Sequence, residues 1–230
     1  MEPKTSRGNQ WLVKSYAGLV RYIAANLFPH GYRWYVTGVI PEGKDPQRTD
    51  NSILDRYDLR ITKWERARRR KVGWAGVRYL RVGRFFVIIA TDDGDHPFLA
   101  EEDDAIKDAR EEPIRINGYS LSVRMQMAGG GKGLWRPSIR IDRKVYLKLK
   151  ARFLELAVHR TEKSLRRAFK TVPFEPYEPV LRQLYSILRA VNRKRKQARA
   201  SQLGYNVIRT YMNPVKVFAD HDDDTLPEAA

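Results

Sequence analysis

The chain contains no cysteine. Disulfides, thiolate nucleophiles and cysteine-ligated zinc are therefore excluded. The absence suits a reducing compartment, so a cytoplasmic location is expected. Histidine is scarce, with only His30, His96, His159 and His221. No two of them form H-x-H or H-E-x-x-H, spacings that bring paired imidazoles to one metal, and no G-x-S-x-G offers a nucleophile elbow. Long apolar runs are missing too. The longest, Phe85–Ala90, is strand-sized and far short of the ~20 residues of a membrane span. No charged segment leading into an apolar stretch opens the chain, so no secretory leader is expected.

Acids are missing where cations crowd. The 230 residues hold 44 Lys and Arg against 27 Asp and Glu, a formal net charge of +17 and a pI near 10.1. From Arg60 to Arg84 there are ten cations and one acid, and from Ser138 to Lys170 eleven cations and three acids. From Arg182 to Arg199 there are seven cations and no acid. An acidic block at 91–112, with ten acids and two cations, and an acidic tail with five acids in the last eleven residues interrupt this basic background. Such a field favours polyanionic partners, with nucleic acid ahead of an anionic membrane surface.

The pattern of apolar residues predicts a helix over 11–28 with Asn9 as N-cap, and a strand over 32–40. A loop follows over 41–51, with a short helix through Ile53, Leu54 and Tyr57. A helix is expected over 62–71, capped by Thr62 and stopped by Gly73. Residues 77–82 and 84–91 read as two tightly joined strands, and 97–110 as a helix. Residues 113–116 and 119–127 form a hairpin across Asn117-Gly118, the preferred two-residue turn. A short strand is expected over 138–141, helices over 145–160, 162–169 and 179–198, and a small hairpin over 205–218. The expected fold class is α+β: antiparallel sheet with crossing helices first, mainly helix after. Residues 1–142 form the sheet-rich part, 143–219 a helical part packed on it as one domain, and 220–230 a disordered acidic tail.

Two basic segments are the candidate nucleic-acid contacts. The first, ITKWERARRRKVGWAG (61–76), carries Lys63, Arg66, Arg68, Arg69, Arg70 and Lys71 around a narrow apolar stripe of Ile61, Trp64 and Ala67. Trp64 is expected to dock this helix and the cations to face phosphate; pairing with the acidic 91–112 block is the bland alternative. The second, RAVNRKRKQAR (189–199), carries Arg189, Arg193, Lys194, Arg195 and Lys196, expected to form a cationic ridge opposite an apolar face of Leu184, Leu188 and Val191. Of the aromatics near them, Tyr32, Trp34, Tyr35, Trp74, Tyr79 and Trp135, each taken singly reads as core rather than as a base-stacking surface. No helix-turn-helix or zinc finger is present and the aromatic content fits stacking, which tips the expectation toward RNA or single strands over duplex DNA; no RNP signature is present, so an RRM fold is not expected.

Evidence for catalysis is thinner. FFVIIATDDGDHP (85–97) ends a strand in Asp92, Asp93, Asp95 and His96. Carboxylates so placed hold Mg²⁺ in metal-dependent nucleases, while Asp-Asp-Gly-Asp is also ordinary turn chemistry. AGGGKGLW (128–135) is not a phosphate-cradling P-loop, since Gly133 follows Lys132 where Ser or Thr is needed. The leading expectation is thus a nucleic-acid-binding protein without an evident cofactor. The alternatives are an Mg²⁺-dependent nuclease or other nucleic-acid-processing enzyme of a mobile or defence element, and an RNA-binding subunit of a ribonucleoprotein with protein partners.

The blocks KWERARRRKVGW (63–74), GRFFVIIAT (83–91), HPF (96–98), ELAVHR (155–160) and PFEPYEPVLRQLYSILRAVNRKRK (173–196) together resemble a family of basic bacterial proteins with no assigned activity. The resemblance implies no catalytic residues. Its relatives carry histidines near positions 93 and 136–138, where this chain has Asp93 and Arg136-Pro137-Ser138; that departure weakens any histidine-based metal chemistry.

Overall fold

A computed structural model describes residues 11–127 and 133–218. The expected cap at Asn9, the glycine-rich loop at 128–132 and the acidic tail at 220–230 lie outside the described residues. The fold is α+β, with helices alongside antiparallel sheets.

Helix α1 (Tyr16–Tyr22) starts at Ser15, whose hydroxyl accepts the Gly18 N–H at 3.1 Å. It widens into one π turn at 23–27, tightens into a 3-10 turn at 28–30, and closes at Gly31 with φ 84°. The helix expected over 11–28 therefore begins late. Leu12 and Val13 bridge instead to Arg81 and Phe218, so their backbone groups are satisfied as extended chain. Strand β1 (Tyr32–Val39) follows. Helix α2 (Pro46–Arg56) replaces the expected loop: Asp45 accepts the Gln47 N–H and Pro46 occupies the first turn, a start signal for which the missing proline N–H costs nothing. Helix α3 (Lys63–Lys71) is capped by Thr62 as expected. Strands β2 (Val77–Val82) and β3 (Phe85–Thr91) join across Gly83-Arg84.

The helix expected over 97–110 is not formed. Helix α4 (Pro97–Glu101) ends after five residues, a 3-10 turn follows, and β4 (Lys107–Asp108) pairs with Trp34 and Tyr35. Four consecutive acids, Glu101–Asp104, repel along a helix, and Asp108 meets Arg33 and Arg110 in the extended arrangement. Strands β5 (Ile114–Ile116) and β6 (Tyr119–Met127) flank Asn117 and Gly118, both at positive φ (42° and 81°) as a type I′ turn demands. Strand β7 (Gly133–Ile141) is longer than expected. Helices α5 (Arg143–His159), α6 (Glu162–Lys170) and α7 (Glu178–Gln197) start at Asp142, Thr161 and Tyr177, the first two with side-chain caps. The hairpin expected over 205–218 is replaced by a 3-10 turn at 205–207 and extended chain, with Phe218 bridged to Val13.

The chain divides into two compact units, one of residues 1–114, 122–137 and 215–230, the other of 115–121 and 138–214. A four-stranded sheet ordered β2-β3-β1-β4 organises the first; the other sheet runs β5-β6-β7. Ile88 and Ala90 of β3 pack with Val77, Tyr79, Leu54, Tyr57 and Phe98, while Val87 and Ile89 on the opposite face are equally buried. A strand covered on both faces reads as a continuous apolar run, which explains FFVIIAT. Within this core Asp50 and Arg81 are 4% and 3% exposed. Asp50 accepts hydrogen bonds from Arg81 Nε at 2.7 Å, Arg81 Nη2 at 2.8 Å and the Tyr79 hydroxyl at 2.5 Å.

In the second unit Phe153 stacks on Phe169 at 4.1 Å, and Leu165, Val180, Leu184, Ile187, Leu188 and Val191 are buried. Helix α5 packs against α7. Hydrogen bonds link Ile141 to Gln183, Tyr146 to Ser186, Leu154 to Lys194 and Ala157 to Arg195. The numbers rise together, so the two helices run parallel and end side by side.

Candidate nucleic-acid interface

Helix α3 is oriented opposite to expectation. Trp64 is 81% exposed and Ala67 is exposed, whereas Arg66 and Arg69 are half-buried. Arg66 donates to the Ile61 carbonyl at 3.2 Å; burial, then the neighbouring Arg78 charge, lower its pKa. Arg69 pairs with Asp58 at 2.5 Å and Glu65 at 3.3 Å and lies over the Trp74 ring at 5.5 Å. Arg70 pairs with Asp93 at 3.0 Å, the contact to the acidic block that the bland reading anticipated. Only Arg68 and Lys71 of this helix are exposed without an ion-pair partner among the described residues. The side chain of Lys63 lies outside the described residues. Trp64 therefore does not dock the helix; Arg66 and Arg69 lie on its inward side.

Helix α7 presents its cations in two ways. Arg189, Arg193 and Lys196 are exposed on one face without a carboxylate partner among the described residues, and Arg182 begins the same row, held by Glu178. Arg195 corrects the expected ridge. It is 4% exposed, and its guanidinium donates to the carbonyls of Ala157 at 2.7 Å, Arg160 at 3.0 Å and Ser201. Lys194 is half-buried and donates to the Leu154 carbonyl at 2.9 Å. Arg195 caps the C-terminal end of α5, where orphan carbonyls and the negative end of the helix dipole favour a cation, while Lys194 reaches a carbonyl about one turn before that end.

The candidate chemical cluster separates into structural roles. Asp92 pairs with Arg33 at 2.6 Å. Asp93 holds Arg70, and the Thr91 hydroxyl followed by that guanidinium keeps its carboxyl below the usual range. Asp95 bonds through its backbone to Gly73 and Ala75. His96 is buried and caps α4, its Nδ1 accepting the Phe98 N–H at 3.2 Å; burial, then the Arg69 charge, push its pKa down. Among the described residues no three His, Asp or Glu side chains gather where they could hold a metal ion. Of the flagged aromatics, Tyr32, Tyr35 and Tyr79 are core, while Trp74 and Trp135 are partly exposed beneath Arg69 and Arg110.

Much of the net charge lies outside the candidate segment 189–199, chiefly in the basic stretch 138–170. Residues 115–121 and 138–214 carry 20 Lys and Arg but five Asp and Glu, a net of +15; the rest of the chain carries 24 and 22, a net of +2. In the first unit arginines meet acids at Arg33–Asp92, Arg56–Glu101, Arg60–Asp55, Arg69–Asp58, Arg70–Asp93 and Arg81–Asp50. In the second, four of the five acids already hold a cation, in Arg115–Asp142, Arg166–Glu162, Arg182–Glu178 and Arg209–Glu175. That leaves exposed rows of Lys144, Lys148 and Arg152 on α5 and of Lys163, Arg167 and Lys170 on α6. Their i, i+4, i+7 or i+8 spacing is the signal that would have found them.

No family model, curated protein or solved structure matches this chain. The resemblance to basic bacterial proteins rests on the sequence blocks alone. Among the described residues no helix is long and apolar enough to cross a membrane.

Proposed function

We propose that this protein binds nucleic acid in the cytoplasm, gripping the phosphate backbone with the helical unit. The observation that carries this reading is the net charge of +15 on residues 115–121 and 138–214, borne by exposed rows on α5, α6 and α7 whose nearby acids are already paired. Lys and Arg so arranged act by displacing counterions from phosphates, a term indifferent to sequence. Among the described residues, helix α3 contributes Arg68 and Lys71 to the unpaired outward charge. No observation favours the nuclease alternative, because Asp92 and Asp93 are each held by an arginine.

The test is a salt titration of binding to labelled RNA, single-stranded DNA and duplex DNA. Log affinity falls linearly with log salt, by about 0.7–0.9 per phosphate neutralised. Replacing Arg189, Arg193 and Lys196 together with alanine lowers the slope by about two to three. A flat salt response, or vesicles of anionic lipid outcompeting every nucleic acid, overturns the proposal.

A further inference from the structure

The outward face of α7 carries more than charge. Arg182, Tyr185 and Arg189 stand at i, i+3 and i+7, on one side of the helix. Tyr205, from the 3-10 turn at 205–207, meets Tyr185 edge-on with centroids 5.7 Å apart and planes at 61°. These four residues line an open pocket of about 400 Å³. Tyr205 is 62% exposed, so beyond its contact with Tyr185 most of the residue is open to solvent.

The segment that delivers Tyr205 is fixed from several sides. After α7 the chain reverses at Arg199, at φ 54°. Asn192 then clamps Leu203 through its side-chain amide, Nδ2 donating to the Leu203 carbonyl and Oδ1 accepting the Leu203 N–H, each at 2.8 Å. Arg195 holds Ser201, and Leu203, Val207 and Ile208 are buried on either side of the turn. A ring presented to solvent by so anchored a backbone loses little conformational freedom when a ligand arrives.

The lining favours a ligand that is flat, aromatic and anionic at its edge. Tyrosine faces take nucleobases in a sequence-tolerant way, and each stacked base contributes about 1–3 kcal/mol. Arg189 is exposed without a carboxylate partner among the described residues. Arg182 is paired with Glu178 in an exposed i, i+4 contact, of a kind that contributes little and yields readily to a phosphate. Beyond Arg189 the same face continues with Arg193 and Lys196, about 6 and 10 Å further along the axis at 1.5 Å per residue, placed for successive phosphates.

Resting on the nucleic-acid reading above, we propose that this pocket is a base-stacking subsite for a single strand, taking one unpaired base on Tyr205 against Tyr185 and the adjoining phosphate on Arg189. A duplex keeps its base faces inside the stack and cannot fill it. The subsite thus makes the protein prefer single-stranded over double-stranded nucleic acid, a preference that the cation rows alone do not supply.

The experiment measures affinity of the full chain for a single-stranded oligonucleotide, for the same sequence as a duplex, and for heparin, which has charge but no bases. The proteins are the unaltered chain, Tyr205→Ala, Tyr205→Trp and Arg189→Ala. Tyr205→Ala is expected to weaken single-strand binding about 5- to 100-fold, with the salt slope and the affinities for duplex and heparin unchanged. Tyr205→Trp retains single-strand affinity, and Arg189→Ala weakens all three ligands and lowers the slope by about one. Equal single-strand affinity for Tyr205→Ala and the unaltered chain overturns the subsite while leaving backbone binding intact. A parallel loss on heparin does the same, since it marks a fault of folding or charge. Failure of the unaltered chain to bind any nucleic acid overturns the function and the subsite together.

Discussion

Arg195 lies between Lys194 and Lys196 in a run of four cations, yet it answers to different physics. Its guanidinium occupies the end of α5, and replacing it with alanine leaves the carbonyls of Ala157, Arg160 and Ser201 without their donor. An orphaned buried acceptor costs about 1–3 kcal/mol, and the lost cation at the helix C-terminus up to ~2 kcal/mol more. Partial hydration of the freed carbonyls offsets some of this. The net loss expected for Arg195→Ala is about 3–5 kcal/mol, at the upper end for single substitutions. With a urea dependence of roughly 2 kcal/mol per molar for a protein of this kind, the unfolding midpoint falls by about 2 M. Arg193→Ala removes an equal charge from the exposed row and shifts stability by no more than ~0.5 kcal/mol. Arg195→Lys falls between, since a point charge cannot reach several carbonyls at once. Urea melts of the three variants followed by circular dichroism decide the matter. Coincident melts for Arg195→Ala and Arg193→Ala would refute the assignment of Arg195 to the fold.

The buried Asp50–Arg81 pair predicts that Asp50→Asn leaves a buried cation unmatched and costs about 3–5 kcal/mol; a thermal melt unchanged by that substitution sinks the idea. A Cβ on Gly94, which has φ 138°, would lie 2.1 Å from the Gly73 carbonyl oxygen, so Gly94→Ala costs several kcal/mol, of the order of ~3; normal yield and melting for that variant contradict the close approach. His96 accepts the Phe98 N–H on Nδ1 only while neutral, and burial holds its pKa below the ordinary 6.5 or so. Its stabilising contribution is therefore full above about pH 6.5 and lost as pH falls through the lower folded value; His96→Asn, which caps without titrating, should flatten the decline between neutral and mildly acidic pH, and an unaltered slope speaks against it.

The fold was legible where a local rule dominates. Asn117-Gly118 and Thr62 each act through the backbone within a few residues, and a single window contains both partners. The errors at 41–51 and 97–110 arose differently. In the first, Pro46 resembles a breaker in the sequence, although its position after Asp45 makes it a starter. In the second, Asp108 is drawn out of a helix by Arg33, 75 residues earlier, a partner no window holds. The pairing of the α3 arginines is hidden from the sequence for the same reason. Arg69 and Arg70 look uncompensated in sequence because Asp58 and Asp93 lie 11 and 23 residues away.

The acids therefore decide which basic segments remain available to a phosphate. Two runs of similar density, 63–71 and 189–196, have different surroundings: the first belongs to a unit with 22 acids for 24 cations, the second to one with five for 20. Exposed ion pairs contribute little to stability, but each one masks a charge from a polyanion at close range, where screening by salt matters least. Density along the chain thus overstates α3, whereas the basic stretch 138–170 keeps its charge available because α5 and α6 expose Lys144, Lys148 and Arg152 and Lys163, Arg167 and Lys170 in rows set by the helical repeat. For a basic protein the informative quantity is the balance within a folded unit, and here that balance points to the helices from Arg143 to Gln197.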